Sequence, residues 1–183
     1  MNNDAAGFRP ELFAAKAKDA TEGKGLPPVH LWNPEFCGDI DMRIRRDGSW
    51  DYMGTPITRM RMVKLFSTIL RRDGDDYFLV TPVEKVGIKV DDAPFVAVEM
   101  EYDQTHITFR TNLNDYVTVD KDHPIFVEIN NETGEPSPYV RVRDRLDALL
   151  SRSVYYELVE NAQEIDGRVG IKSNNEFFRL DGK

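Results

Sequence analysis

The chain has 183 residues, a formal net charge of −8 at pH 7 and an isoelectric point near 5.0. Such an acidic balance argues against nucleic acid as the main partner. No run approaches the ~20 apolar residues that a membrane-spanning helix needs, so we expect no membrane partner. The chain has only 1 cysteine, which excludes an intramolecular disulfide and any metal site built on several cysteines.

Residues 1–25 predict an N-terminal entry segment. Pro10 suits the first turn of a short helix that ends near Ala20, with Leu12 and Phe13 as its sizeable apolar residues. The segment has no apolar stretch like that of a secretory signal, so we expect a cytoplasmic location.

Residues 26–94 predict a first α+β unit. A proline-containing stretch over 26–42 is expected to be irregular, and a hairpin follows with its turn at Asp47-Gly48. A helix is then predicted with Thr58 as its N-cap and its end at Asp73-Gly74. Two strands complete the unit.

Residues 95–122 alternate apolar and polar side chains with period two. This alternation predicts connecting antiparallel strands, in which Met100 pairs with Ile107 or Phe109 across a turn at Asp103-Gln104.

Residues 123–183 predict a second α+β unit, because the first pattern restarts there. A strand over 125–129 precedes a predicted helix over 139–152 and a further strand pair, and the tetrapeptide VGIK at 86–89 recurs at 169–172. We therefore predict an α+β fold with two related units, each a small antiparallel sheet with one covering helix. The alternative is that α+β proteins often reuse such units and that VGIK recurs by chance.

Standard motifs for nucleotide-dependent enzymes, serine hydrolases and zinc peptidases are absent from the sequence. Carboxylates near histidines can bind divalent ions, but a solvated strand face explains the same pattern, and we predict neither a metal nor a cofactor. The groups weighed for metal binding are Glu99, Glu101, Asp103 and His106, and Asp120, Asp122 and His123.

A catalytic role for Cys37 would need a base such as His30, His106 or His123 beside it. A single cysteine is also a common small core residue. A small-molecule enzyme that uses acidic residues with His106 or Cys37 therefore stands as the alternative functional hypothesis.

Ligand binding is the leading hypothesis, because polar and aromatic side chains follow one another in the 30–41 stretch and a basic region comes after it. Arginine forks recognise carboxylate and phosphate, so a small anionic ligand or an acidic protein partner is expected. The competing interpretations are that the aromatic residues anchor the loop and that the arginines pair with nearby acids. The predicted ligand contacts are His30, Trp32, Asn33, Trp50, Tyr52, Arg59 and Arg61.

The strings WNPEFCGDIDMRI, DGSWDYMGTPI, LVTPVEK and FRTN resemble a bacterial domain-of-unknown-function family, number 1285, over about residues 26–158. The resemblance implies an α+β fold with repeated structural motifs and a role in signal transduction, and it supplies no catalytic residues. Together with the predicted repeat, it favours a non-catalytic protein that binds a ligand or partner in a groove between two related units. The sequence predicts no oligomeric state.

Overall fold

The computed structural model describes residues 7–21, 23 and 25–182, so residues 1–6, 22 and 24 of the predicted N-terminal segment lie outside the described residues. The chain divides into two compact units, residues 1–91 and 92–183. Among the described residues, no helix combines the length and the apolar character needed to cross a bilayer.

The first unit is built on one six-stranded sheet whose strand order is β3-β2-β1-β6-β5-β4. The two central strands, β1 and β6, are parallel, and the other neighbours are antiparallel. The prediction of a purely antiparallel sheet is therefore wrong for this unit. The strands are β1 (Phe36–Ile44), β2 (Trp50–Tyr52), β3 (Thr55–Pro56), β4 (Leu70–Asp73), β5 (Asp76–Val80) and β6 (Lys85–Val90).

Two helices, α1 (Pro10–Ala20) and α2 (Met60–Thr68), complete the first unit. The sequence prediction for α1 is confirmed, and its buried Phe13 lies with its ring centroid 6.1 Å from that of Phe66 on α2. The ring of Phe66 also lies 6.4 Å from that of Trp50 on β2. Each of these three aromatic side chains is almost fully buried. Because they come from α1, α2 and β2, they form a core that both helices share with the sheet.

The helix predicted from Thr58 to Asp73 is shorter than expected. Its N-cap is Arg59, and it ends at Thr68, because the residues from Leu70 onward pair with β5. Gly74 has a φ of +64° and turns this hairpin, so a residue interpreted as a helix terminator closes a strand pair instead.

The stretch predicted to be irregular contains the longest strand of the first unit. Only Val29–Leu31 forms a short 3₁₀ helix, and β1 begins at Phe36. Ile40 and Met42 alternate with exposed residues and face the core. The hairpin predicted at Asp47-Gly48 is confirmed between β1 and β2.

The second unit has the same strand topology as the first. Its six-stranded sheet has the order β10-β11-β12-β7-β8-β9, with the parallel pair β7 and β12 at the centre. The strands at 95–118 belong to this sheet, and Met100 pairs with Phe109 as predicted. The strands are β7 (Phe95–Tyr102), β8 (Ile107–Thr111), β9 (Tyr116–Thr118), β10 (Ile125–Ile129), β11 (Pro136–Arg143) and β12 (Leu146–Leu150).

The helix predicted over 139–152 is wrong. This stretch forms the β11–β12 hairpin, and Asp144 turns it with a φ of +45°. The helix of this unit, α3 (Arg152–Glu160), starts later, where the Ser151 hydroxyl accepts a hydrogen bond from the backbone N–H of Val154.

A three-stranded antiparallel sheet follows α3 and has no counterpart among the described residues of the first unit. It contains the second VGIK, on its middle strand, whereas the first VGIK lies on β6 at the centre of a six-stranded sheet. The two units are therefore related through their six-strand topology, and the predicted alignment through the helices and VGIK is wrong. The added strands are β13 (Gln163–Ile165), β14 (Arg168–Ser173) and β15 (Glu176–Arg179).

Candidate functional site

The predicted ligand contacts are divided between the two edges of the sheet in the first unit. Tyr52 and Arg59 lie beside β3 at one edge. His30, Trp32 and Asn33 belong to the segment beside β4 at the other edge, where the 3₁₀ helix contacts β4. The sequence prediction grouped these residues because the hairpin that carries Trp50 and Tyr52 follows the 30–41 stretch in the chain.

Arg71 on β4 ties the 29–32 segment to the sheet. Its Nη1 donates to the backbone oxygens of Val29, at 3.0 Å, and Trp32, at 2.6 Å. Its Nη2 donates to the Asp73 carboxylate at 2.8 Å. This arrangement supports the interpretation that the segment is anchored, since one guanidinium replaces the backbone hydrogen bonds that a proline-containing stretch cannot form.

Asp73 holds a second cation at the same place. Lys85 Nζ lies 2.8 Å from the carboxylate and 4.0 Å from the ring centroid of Phe78. Burial opposes ionisation of Asp73, but the hydrogen bonds from Arg71 and Lys85 together outweigh it, so the pKa of Asp73 is below its usual value. The group is a structural ion network.

An open cleft of about 350 Å³ lies at the opposite edge of this sheet. It is bordered by the start of α1, the β2–β3 turn and the start of α2. The residues that line it combine apolar side chains with hydroxyl and charged groups. They are Pro10, Glu11, Tyr52, Thr55, Pro56, Ile57, Thr58, Arg59 and Met62.

Arg59 gives this cleft its positive charge. It is exposed at the N-cap position of α2, which no side chain caps, so the positive end of the helix dipole reinforces the guanidinium. Among the described residues, neither Arg59 nor Glu11 has an ion-pair partner. Tyr52 is fixed by its hydroxyl, which donates to the backbone oxygen of Phe8 at 3.3 Å.

Two further predicted contacts do not line the cleft. Trp50 is only 2% exposed and packs against Phe66, so we do not retain it as a contact residue. Arg61 is exposed on α2 but lies outside the lining set.

The residues of the enzyme hypothesis each have local contacts. Cys37 is exposed, and its thiol donates to the backbone oxygen of Glu35 at 3.4 Å. His106 lies 3.5 Å from Asp103 in an exposed turn, and the His123 ring is 3.2 Å from the backbone oxygen of Arg141. Within the described part of the chain, no group of three His, Cys, Asp or Glu side chains is arranged to hold a metal ion.

The arginines of the wrongly predicted second helix lie on a strand hairpin. Arg141 pairs with Asp147, and Arg143 lies 3.7 Å from Asp115 with its guanidinium 5.0 Å from the ring centroid of Phe95. Both side chains therefore pair with nearby acids.

Sequence reasoning missed Glu11, Thr55 and Thr58 as cleft residues. Glu11 reaches the cleft only because α1 packs against α2, a tertiary contact without a sequence motif. The signal for Thr55 was the Met53-Gly54 pair, where both residues have positive φ and turn the chain back along β2.

Two family models match the chain and together cover nearly all of it. Residues 27–93 match the "Domain of unknown function (DUF1285), N-terminal domain", and residues 94–180 match the "Protein of unknown function (DUF1285), C-terminal domain". The boundary between the two matches falls close to the boundary between the two compact units.

Two solved structures are similar. A DUF1285 family protein from Silicibacter pomeroyi DSS-3 is 48% identical with a TM-score of 0.86, and the match covers 96% of each chain. A DUF1285 family protein from Shewanella baltica OS155 is 30% identical with a TM-score of 0.53, and the match covers 65% of this chain and 90% of that one. No curated protein matches.

Proposed function

Since the chain belongs to the DUF1285 family, whose two domain descriptions name no activity, we propose from its own geometry that it is a non-catalytic protein that binds a small anionic ligand. The observation that carries this proposal is the cleft beside β3, with Arg59 at its rim. Its volume of about 350 Å³ lies in the range of small-molecule sites.

The lining of the cleft defines the class of ligand. Arg59 and the uncapped start of α2 favour a carboxylate or phosphate group. The side chains of Ile57 and Met62 offer apolar surface to the remainder of the ligand. Glu11, on the α1 side, accepts from an amine or hydroxyl, so the ligand carries a donor group as well as an anion.

Binding without catalysis is favoured by what lines the cleft. None of its nine lining residues is a cysteine or a histidine. Cys37 and His30, the candidate nucleophile and base of the first unit, are not among them. Ligand binding at this cleft also suits the role in signal transduction that the family resemblance implies.

The proposal is tested by ligand-dependent thermal unfolding, monitored by tryptophan fluorescence. Both tryptophans, Trp32 and Trp50, lie in the first unit, so their signal reports on the unit that holds the cleft. The panel contains phosphorylated metabolites, nucleotides and amino acids. We expect at least one compound with the anion-plus-donor chemistry to stabilise the unit, by about 2.7 kcal/mol when its concentration is 100 times its Kd.

Two arginines on one helix supply a matched pair of variants. Arg59→Ala is expected to weaken binding at least tenfold, whereas Arg61→Ala removes the same charge outside the cleft and is expected to change it less than twofold. Equal losses in both variants would show that general charge attraction, not the cleft, holds the ligand. If no compound of the panel stabilises the protein, the proposal is wrong.

A further inference from the structure

The outer face of the three-stranded sheet in the second unit carries a second cleft, of about 320 Å³. On the opposite face of the middle strand, Ile171 and Ser173 are fully buried. The lining residues are Ile165, Asp166, Arg168, Lys172 and Phe177.

The register of the sheet brings a cation and an aromatic ring side by side. Arg168, Gly170 and Lys172 alternate along β14, so they share the outer face. Phe177 on β15 pairs directly with Lys172 and lies on that face as well.

Gly170 leaves room for the ring of Phe177 between the two cations. A β-carbon at this position would lie 2.5 Å from Cζ of Phe177 and would overlap the backbone oxygen of Phe178. The ring therefore lies over the glycine, with Arg168 on one side along the strand and Lys172 on the other. One strand and one ring form a platform with a cation at each end.

The cleft carries a net positive charge, because Arg168 and Lys172 outnumber the single carboxylate of Asp166. Among the described residues, neither Arg168 nor Lys172 has an ion-pair partner, whereas Arg179 on the same sheet lies 2.9 Å from Asp181. In a chain of net charge −8, two such cations in one cleft create a local site of opposite sign.

We propose that this cleft binds a small anionic ligand that carries a planar ring. The ring stacks on Phe177, which offers a flat apolar face. Arg168 donates to a phosphate or carboxylate of the ligand in bidentate geometry, and the charge of Lys172 at the other end of the ring adds to the attraction. Asp166, in the turn between β13 and β14, accepts from a hydroxyl or amine of the ligand. The proposal does not depend on the cleft beside β3, which belongs to the other unit.

The test is a titration of the full chain, observed through its backbone amides by ¹H–¹⁵N NMR. The probes are AMP and indole-3-acetate, which carry a phosphate and a carboxylate with a planar ring, and they distinguish the two anions. At least one is expected to shift the amides of residues 165–178. Adenosine, which lacks the anion, and ribose 5-phosphate, which lacks the planar ring, are expected to bind at least tenfold more weakly than AMP if AMP is the better probe.

Single substitutions assign each interaction. Arg168→Ala and Lys172→Ala are each expected to weaken binding at least fivefold. Phe177→Leu keeps an apolar cover over Gly170 but removes the flat ring, and the same loss is expected. Arg145→Ala removes an exposed charge from another turn of this unit and serves as the matched control, with less than a twofold change.

Several results would overturn the proposal. One is that neither AMP nor indole-3-acetate shifts residues 165–178. Another is that ribose 5-phosphate binds as tightly as AMP and indole-3-acetate fails to bind, since the ring platform would then contribute nothing. A third is that Lys172→Ala, with an NMR spectrum that shows it folded, binds as well as the unsubstituted chain.

Discussion

The two units arrange their sheets alike and cover them differently. Each has two three-stranded meanders joined by a parallel pair at the centre. In the first unit α2 joins the meanders and packs with α1 around an aromatic core, whereas in the second unit α3 follows the sixth strand and an extra sheet is added. Strand order is thus the common element, and the covering layer is what distinguishes the units.

The repeated VGIK shows how far local sequence determines structure. In both copies the isoleucine is buried and the lysine exposed, as alternation in a strand requires. The neighbours differ, however, because Gly87 lies against the Asp39 carboxylate and Gly170 lies under the ring of Phe177. The same four residues therefore form strands in different sheets with different partners.

The largest expected effect breaks the aromatic core of the first unit. Phe66→Ala removes a fully buried ring that meets Phe13 and Trp50, and we expect a loss of about 3–5 kcal/mol in the free energy of unfolding. Urea unfolding followed by tryptophan fluorescence measures it. Met60→Ala on the same helix is 51% exposed in the native protein and should cost about 0.5 kcal/mol or less. Equal losses of unfolding free energy in the two variants would mean that the buried face of α2 does not contribute to the core of this unit.

The next effect concerns the extra sheet of the second unit. The buried Ser173 hydroxyl donates to the backbone oxygen of Val119 at 2.7 Å and accepts from the N–H of Ile107 at 3.0 Å. Ser173→Ala leaves both backbone groups without this partner, and a loss of about 1–3 kcal/mol is expected. Amide hydrogen exchange at Ile107 should accelerate by a matching factor. Ser153→Ala, at an exposed position on α3, is the control, and unchanged exchange in Ser173→Ala would contradict the prediction.

The two VGIK glycines sharpen the comparison further. Gly170→Ala forces its β-carbon against backbone and should cost about 1–3 kcal/mol. Gly87→Ala meets the carboxylate of Asp39, an exposed side chain that can rotate away, and should cost less. Thermal unfolding of the two variants gives the order of these costs. The reverse order would show that the two strands are not held as differently as their neighbours indicate.

The smallest effect is a pH dependence in the first unit. Because the pKa of Asp73 is below its usual value, its stabilising contribution is present above about pH 4 and is lost as the pH falls through the lowered pKa. Asp73→Asn should remove this part of the acid destabilisation, at most about 1 kcal/mol, since the pair is partly exposed and screened by water. Urea titrations between pH 5 and pH 2 measure it, and Asp75→Asn, at a 97% exposed side chain, is the control. The prediction would be contradicted if the free energy of unfolding of Asp73→Asn fell between pH 5 and pH 2 as steeply as that of the unsubstituted protein.

Local signals predicted much of this fold. Pro10 marked α1 correctly, and the hairpins at Asp47-Gly48 and Asp103-Gln104 formed as expected. The helix over 139–152 failed, because the apolar residues from Val142 to Leu150 fit helical spacing as well as two strands. The deciding signals were the turn at Asp144 and the cap at Ser151. Parallel pairing at the sheet centre has no local signal at all.

The candidate site was predictable only in part. Tyr52 and Arg59 do meet in one cleft, since a short turn brings β2 and α2 together. His30 and Trp32 were expected beside them, but the sheet order separates them, because α2 carries the chain from one edge of the sheet to the other. Sequence proximity therefore identified some of the residues that line the cleft, but not which elements of the fold border it.

The parallel pair at the centre of each sheet also has a consequence for how the chain folds. Ile44 pairs with Val90, and Ala97 pairs with Leu150, so the first and the last strand of each sheet in chain order lie side by side at its centre. Each meander can form from near neighbours, but its union with the other must first close a long loop, and contacts between distant residues slow folding. We expect the pairing of the two central parallel strands to be the rate-limiting step in the folding of each unit.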